Sequence, residues 1–232
     1  MAFPRWKAPK AEWAITSVQG QRAGSAVQPI IITRMSLESP ASYSRILESA
    51  RQEILASGII GLRVSAVATS AGTSIPLIYK YFGDRDGLLT EVLGQIYFDF
   101  TEEDIANAKK WLINNSGREL MGPELADLFP NPFNDHIRQR RIWIARIIAA
   151  SLELPKLRLK LEEIHLKIDQ EFDEVIAEVH SLIGGRKHFS PQVMRGIFRG
   201  LSFGHIFTEF NYSHKPSDEE WRELIVFLLS AT

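Results

Sequence analysis

The spacing of apolar residues predicts helices along most of the chain after residue 38. Ser39 is a good N-cap for the first helix, and Pro40 suits the first helical position. Gly58 stands where a helix commonly ends. Between them lies one apolar stripe at helical spacing, formed by Ile46, Leu47, Ala50, Ile54 and Leu55. This pattern predicts a first amphipathic helix that ends before Gly58.

Two short helices and one long helix are predicted next. The pattern favours a short helix over 64–71, which Gly72 ends, and another from Ser74 or Ile75 to Phe82. Asp84 is placed to cap the long fourth helix, which starts at residue 85. Because three short helices are separated by single turns, we expect a compact head at this end of the chain.

The remaining sequence also predicts helices, and no alternating run is long enough to build a sheet. The further predicted helices span 85–113, 123–128, 133–152, 156–183, 190–212 and 217–230. The predicted fold class is therefore all-α, with a three-helix domain followed by a helical bundle. The predicted divisions are an N-terminal extension at 1–38, a three-helix domain at 39–84, and a helical body at 85–232.

The N-terminal extension has no sustained helical period. It mixes Pro, Gly, Ser and Gln with five basic residues. One hypothesis is a basic arm that contacts DNA. The alternative is an extension that packs on the body or stays mobile, as chain termini commonly do. The sequence leaves both interpretations open.

The predicted helices at 64–71 and 75–82 are typical of a helix-turn-helix, with Ala71-Gly72-Thr73 at the joint. Gly72 permits a sharp reversal because it has no Cβ to clash with the backbone. In this motif the first residues of the second helix face the bases. That helix N-terminus also presents unpaired N–H groups to phosphate.

Residues 45–89 resemble the DNA-binding domain of TetR-type transcriptional regulators. The resemblance rests on segments in register, namely Arg45-Ile46-Leu47-x-x-Ala50, Val64-x-x-Val67-Ala68-x-x-Ala71-Gly72-Thr73-Ser74 and Ile78-Tyr79-Lys80-Tyr81-Phe82-Gly83-Asp84-Arg85-Asp86-Gly87-Leu88-Leu89. It covers about 45 of 232 residues. It implies a regulator that binds a double-stranded DNA operator.

The resemblance implies that the recognition helix opens with base-facing residues, namely Ser74, Ile75, Pro76 and Leu77. Its three apolar residues cannot form bidentate hydrogen bonds with bases, so thymine methyl groups are the direct contact open to them. Leu77 is either DNA-facing or buried. Lys80 is the best polar candidate for a base or phosphate contact.

The resemblance also implies phosphate contacts. Tyr79 would contact phosphate through its hydroxyl, and Arg85 stands where the family usually has lysine. Arg63 replaces a common threonine cap, which weakens the cap of the second helix but adds a charge near the DNA backbone. Arg45 and Arg63 are either phosphate contacts or solvated side chains.

The family pairs this domain with a helical body that senses ligands and dimerises. The resemblance therefore implies a homodimer on a roughly palindromic operator. The last two predicted helices are the expected dimer surface, and an intramolecular core is the alternative for the same apolar pattern. The candidate dimer residues are Ile197, Leu201, Gly204, Thr208, Leu224 and Leu228.

The aromatic residues of the body suggest a cavity for a small apolar or aromatic effector, although aromatic residues at helical spacing are commonly core. The candidate pocket residues are Trp111, Trp143 and Phe203. The fourth helix joins the body to the head, so we expect it to act as the lever between effector and DNA.

Charge changes this picture little. The formal net charge is -1, from 27 basic and 28 acidic residues. Residues 1–85 carry +5 and the remainder -6, yet residues 39–91 balance at zero. The DNA-binding prediction therefore rests on the motif.

The chain has no cysteine, which excludes disulfides and thiolate metal sites, and no apolar run approaches the roughly 20 residues of a membrane span. We expect a cytoplasmic protein with no membrane partner.

Enzyme and metal chemistry find little support. His165 with Asp169, and His205 with Glu209, share a helix face, but a metal site needs a further ligand from elsewhere. No phosphate-cradling glycine loop and no nucleophile elbow is present. We expect no cofactor, no metal and no catalytic residue.

The predicted function is a repressor that an effector releases from DNA. The alternatives are a helical protein–protein adaptor or, less favoured, a small-molecule enzyme.

Overall fold

A computed structural model describes residues 40–117, 122–183, 189–204 and 215–230. All regular elements in these ranges are helices, which confirms the predicted all-α fold class. The α-helices are α1 (Pro40–Ser57), α2 (Val64–Ala71), α3 (Ile75–Phe82), α4 (Arg85–Asn114), α5 (Gly122–Leu125), α6 (Asp135–Glu153), α7 (Pro155–Ile183), α8 (Pro191–Gly204) and α9 (Asp218–Ser230), and a 3-10 turn at Ala126–Leu128 follows α5. The N-terminal extension, Ser39 and residues 205–214 lie outside the described residues.

Local capping sets the boundaries of α2, α3 and α4. Gly72 has φ of 60°, in the left-handed region, and ends α2. The Ser74 hydroxyl oxygen accepts a hydrogen bond from the Leu77 N–H and caps α3. Asp84 Oδ1 accepts from the Gly87 N–H at 2.6 Å and caps α4. The predicted turn and cap positions therefore hold in the structure.

The first of two apolar cores joins α1, α2 and α3 to the first half of α4. Its fully buried side chains include Ile46, Ile54, Val67, Ile78, Leu88 and Leu93. Trp143 from α6 and Leu157 from α7 extend the same core into the body. Burial of each large aliphatic side chain favours folding by about 1.5–3 kcal/mol. This core fixes α3 relative to α4.

The second core lies further along α4 and includes α5, α7, α8 and α9. Its buried members include Ile105, Leu112, Ile176, Met194, Trp221 and Ile225. The half-buried Ile164 of α7 packs against both cores. A Cβ on Gly94 would lie 2.9 Å from Lys160 Cγ, so this glycine permits the close approach of α4 and α7. The two long helices α4 and α7 thus run through both cores.

Neither a membrane span nor a metal cluster is found in the ranges that the structure describes. No helix there is long and apolar enough to cross a bilayer. Within the same ranges, no group of three or more His, Cys, Asp or Glu side chains is arranged to hold a metal ion.

Candidate nucleic-acid interface and effector cavity

Helix α3 has one buried side and one side that faces solvent. Ile78 and Phe82 anchor it in the first core, with exposed fractions of 0% and 8%. The opposite side carries four exposed residues, which we term the α3 outer face: Ile75, Pro76, Tyr79 and Lys80. Ile75 is 37% exposed and Tyr79 is 41% exposed. The head therefore presents this side of α3 to solvent.

The residues predicted to face bases differ in their exposure. Ser74, Ile75 and Pro76 are exposed, whereas Leu77 is half-buried. The Ser74 hydroxyl also accepts a hydrogen bond of 3.4 Å from the Leu77 N–H, so it caps the helix. The open end of the α3 outer face therefore consists of Ile75 and Pro76.

The Arg85 side chain binds the loop between α1 and α2. Its Nε donates to the Leu62 carbonyl oxygen at 3.1 Å, and its Nη2 donates to the Ile60 carbonyl oxygen at 2.9 Å. A guanidinium can bridge two such acceptors because its donors form a planar fork. Sequence reasoning missed this role, since the pattern at Arg85 suggested a phosphate contact.

The other two predicted phosphate-binding arginines lie on the surface of the head. Arg63 makes no side-chain cap for α2, as the loss of threonine predicted, and its Nε lies 3.1 Å from Glu53 Oε1. Its side chain is 72% exposed. Arg45 is also exposed and donates to the Ser42 hydroxyl at 3.2 Å. Both guanidinium groups can be reached from solvent.

Helix α7 binds the start of α4 beside the head. Lys156 Nζ donates to Asp84 Oδ2 at 2.7 Å, and this hydrogen bond, with that from the Gly87 N–H, lowers the pKa of Asp84. Tyr43 stacks on Phe82 with ring centroids 5.0 Å apart. Burial, together with the nearby carboxylate of α4, raises the pKa of Tyr43 to about 12. The hydrogen bond of Lys156 with Asp84 therefore ties α7 to the head, and the stacking of Tyr43 on Phe82 joins α1 to α3 within the head.

A cavity of about 190 Å³ lies in the body between α4, α6, α7 and α8. Its wall is mostly apolar. The apolar part includes Ile105, Leu128, Phe129, Ile168, Phe172 and Phe198. Phe129 and Phe198 stack in parallel with centroids 4.1 Å apart. A mostly apolar cleft with a small set of polar side chains is the usual form of a small-molecule site.

Four residues form the polar end of the cavity: Tyr97, Arg141, His165 and Arg199. The Tyr97 hydroxyl lies 2.8 Å from His165 Nε2, and Arg199 Nη2 donates to His165 Nδ1 at 3.0 Å. Burial, reinforced by the charge of Arg199, lowers the pKa of His165. The imidazole is therefore neutral near pH 7, and the cations of this end are its arginines.

Of the three predicted pocket residues, Phe203 lies on the cavity wall. Trp143 is buried in the first core, where the Arg146 guanidinium carbon lies 5.3 Å from the ring centroid. Trp111 is half-buried and packs against the second core. Neither tryptophan is among the residues that line the cavity. Both tryptophans pack in or against a core, and the spacing of aromatic residues alone does not distinguish a core position from a cavity position.

Sequence reasoning missed the polar end of the cavity. The pairing of His165 with Asp169 was a signal, and it indicated a polar helix face or a metal pair. Their side chains are 3.9 Å apart, but the polar partners of His165 that face the cavity come from α4 and α8. Because those partners lie far along the chain, the motif alone did not predict a ligand-binding surface.

The predicted dimer residues lie on α8 and α9, and three of them, Ile197, Leu201 and Leu228, pack against the second core. These three and Gly204 are half-buried, and Leu224 is 37% exposed. The sixth predicted dimer residue, Thr208, lies outside the described residues. Gly196 and Gly200 of α8 are exposed, and a Cβ on either would meet nothing within 4 Å. Part of the predicted surface is therefore core, and Leu224 and the two glycines are open to solvent.

The comparisons with known proteins agree with this architecture. The family described as "Bacterial regulatory proteins, tetR family" matches residues 46–92. A Rhodococcus sp. structure named for the TetR family has a TM-score of 0.56 at 21% identity, over 83% of this chain and 98% of that one. None of the curated proteins matched the sequence.

Two further solved structures share the fold. The multidrug binding protein EbrR complexed with imidazole gives a TM-score of 0.56 at 19% identity, over 82% of this chain and 96% of that one. FadR from Bacillus subtilis with stearoyl-CoA gives 0.52 at 19% identity, over 82% and 99%. Residues 46–92 therefore match the DNA-binding domain of the tetR family, and the rest of the described chain shares its helical fold with these solved structures.

Proposed function

We propose that the protein is a homodimeric repressor that binds a near-palindromic operator and leaves it when a small effector enters the cavity. The observation that carries the proposal is the α3 outer face, which the first core holds out into solvent. The proposed domain division keeps α1–α3 as the DNA-binding domain and assigns α4 onward to the body.

In this proposal the α3 outer face enters the major groove. Ile75 and Pro76 meet thymine methyl groups, with Ser74 and Leu77 at the edge of the contact. Tyr79 and Lys80 bind phosphates through a hydroxyl and an ammonium group, and both are exposed. Arg45 and Arg63 add phosphate contacts at the flanks, and Arg85, whose side chain is 38% exposed, adds another while it supports the loop beside α2.

The proposed dimer forms through α8 and α9. Support comes from exposed apolar side chains on both helices, including Val193 at 47%, Phe203 at 41% and Phe227 at 66%. The exposed Gly196 and Gly200 leave room for a second helix to approach closely. Two-fold symmetry would place two α3 helices in successive major grooves, about 34–36 Å apart.

The proposed effector acts through α4. Tyr97, Thr101 and Asp104 of this helix line the cavity, and Arg85 at its start binds the loop of the head. A ligand that shifts α4 would therefore alter the separation of the two α3 helices and weaken operator binding. The cavity and the head share one continuous helix as the lever.

A selection from a random DNA library tests the DNA-binding proposal. We expect a near-palindrome to be enriched, and its affinity for the full chain to fall steeply with salt because phosphate contacts release counterions. Tyr79→Phe and Lys80→Ala should both weaken binding, and Lys80→Ala should also reduce the salt dependence because it removes a charge, whereas Lys110→Ala on the exposed side of α4 should do neither. A flat salt response would contradict the role proposed for Lys80.

A further inference from the structure

The hydrogen bonds at the polar end of the cavity fix where one proton lies. Arg199 can only donate, so His165 Nδ1 must accept its hydrogen bond. The neutral imidazole then carries its proton on Nε2 and donates it to the Tyr97 hydroxyl oxygen, 2.8 Å away. The hydroxyl proton of Tyr97 then has no acceptor among the described residues. Tyr97 therefore presents an unused hydrogen-bond donor at the cavity wall.

Arg141 presents a second unused donor on the same wall. Its Nη2 lies 3.3 Å from Asp104 Oδ2, which is longer than the usual charge-assisted hydrogen bond, and Asp104 is also bound by Arg140. The buried Arg141 Nε has no partner among the described residues. Burial lowers the pKa of Arg141, and the charge of the neighbouring Arg140 lowers it further, while the carboxylate of Asp104 opposes this shift.

The polar end of the cavity carries an excess of positive groups. Arg141, Arg195 and Arg199 line the cavity, and Asp104 is the acidic residue on its described wall. The carboxylate of Asp169, which binds both Arg195 and Arg199, does not line the cavity. Arg195 is also paired with Asp173 at 2.7 Å, and Asp173 does not line the cavity either, so the described wall itself carries three arginines and one carboxylate residue. Such a surface attracts an anion and repels a cation.

We infer that the cavity binds an amphipathic carboxylate, whose carboxylate group accepts hydrogen bonds from Tyr97 and Arg141 and whose alkyl or aromatic body lies among the apolar side chains of the wall. This inference rests on the proposed function in taking the cavity as the effector site, and it names the chemical class of the effector. The Tyr97 hydroxyl and the Nε–H of the partly paired Arg141 are the two unused donors, and together they match the two oxygens of one carboxylate.

A cationic ligand does not fit this arrangement. Asp104 is already bound by Arg140 and Arg141, so it has little capacity left for a ligand ammonium group. A neutral amide would accept hydrogen bonds but would leave the positive charge of Arg141 uncompensated. A carboxylate would also compete with Asp104 for Arg141. Because Asp104 lies on α4 and Arg141 on α6, that competition would loosen a contact between the two helices.

Calorimetric titration of the full chain without DNA tests the ligand class. Two series with matched bodies serve as probes: octanoate, octanamide and octylammonium, and naphthylacetate, naphthylacetamide and naphthylethylammonium. In at least one series we expect the carboxylate to bind about tenfold more tightly than its amide, and the ammonium compound to bind most weakly. An amide or ammonium compound that binds as tightly as its carboxylate overturns the inference, as does the absence of binding in both series at about 1 mM.

Two variants locate the carboxylate, and a third serves as the control. Tyr97→Phe removes one donor and leaves the ion pair of Arg141 with Asp104 intact, and Arg141→Gln removes the charge. Each should weaken carboxylate binding about tenfold and amide binding by a clearly smaller factor, because a hydrogen bond to a charged acceptor is stronger than one to a neutral acceptor. Arg146→Gln removes a charge from the same helix but outside the cavity wall, and should change neither. Equal losses for carboxylate and amide in Tyr97→Phe would overturn the assignment.

These titrations separate the inference from the proposed function. Because no DNA is present, a lack of carboxylate preference overturns the ligand class and leaves operator binding standing. Conversely, a chain that prefers carboxylates but selects no near-palindrome from a DNA library overturns the repressor proposal alone. The two failures are therefore distinguishable.

Discussion

At the scale of single residues, Arg85 and His165 gain their roles from partners distant in sequence. Arg85 binds two backbone carbonyl groups of the α1–α2 loop, and His165 lies between Tyr97 and Arg199. Neither set of partners follows from the local sequence. Each contact can be tested by one substitution with a nearby control.

Replacement of Arg85 by Ala should lower the free energy of unfolding by about 1–2 kcal/mol, since the carbonyl groups of Ile60 and Leu62 lose a charged donor. Urea denaturation checks the effect. Arg45→Ala is the control, because Arg45 is exposed and donates to a hydroxyl on its own helix; we expect a change within about 0.5 kcal/mol. Equal effects of the two substitutions would contradict the bridging role of Arg85.

His165 should make stability depend on pH in the mildly acidic range. Its folded pKa is lowered, mainly by burial, so below about 6.5 the unfolded chain binds more protons than the folded one. The free energy of unfolding should therefore fall as the pH drops from about 7 through the folded pKa. The titratable or charged groups around His165 are Tyr97, Asp169, Arg195 and Arg199.

The measurement compares urea denaturation of the wild type and His165→Gln at about pH 7 and about pH 5.5. The wild type should lose more stability than the variant over this interval, because the variant has no imidazole to protonate. An identical pH dependence in both proteins would show that His165 is not the group responsible.

At the scale of elements, the structure of the head depends on turns that glycine makes possible. Gly72 has φ of 60°, and a Cβ there would meet nothing within 4 Å. Gly72→Ala should therefore destabilise the protein by about 1 kcal/mol through backbone conformation alone. Thermal unfolding measures the change. Ser70→Ala on the exposed side of α2 is the control and should have little effect; a Gly72→Ala variant as stable as that control would contradict the argument.

The helices could be predicted well because their signals act within a few residues. The Asp84 cap and the turn at Gly72 were both visible in the sequence and are confirmed. The cavity could not be predicted to the same extent. Tyr97 and His165 are 68 positions apart, so only the packing of α4 against α7 brings them together. Likewise, helical spacing did not reveal that Trp111 and Trp143 pack in cores.

At the scale of the whole molecule, α4 and α7 connect the two cores. Helix α4 is continuous from Arg85 to Asn114, and it carries the loop contacts of the head at one end and part of the cavity wall further along. Its contact with α7 is extensive and includes Lys160 with Glu91 at 3.2 Å. A displacement at the cavity can therefore reach α3 through a single helix.

The proposed dimer predicts an assembly of about twice the chain mass of 26.3 kDa at micromolar concentration. Leu224→Glu should shift the protein toward monomer, because it places a charge in the apolar α8–α9 face while Leu224 is already 37% exposed in the single chain. Sedimentation velocity measures the shift. Leu166→Glu on α7, at a side chain 76% exposed, is the control and should remain dimeric. A wild type that sediments as a monomer would count against the interface.

The most direct test of the central claim, that paired α3 helices bind a near-palindrome, is footprinting. The targets are the DNA upstream of the protein's own gene and the DNA selected from a random library. The account predicts a protected near-palindrome with half-sites about 34–36 Å apart, and loss of protection in a folded Ile75→Glu variant. The absence of any protected near-palindrome in both DNAs, with wild-type protein that is folded and dimeric, would contradict it.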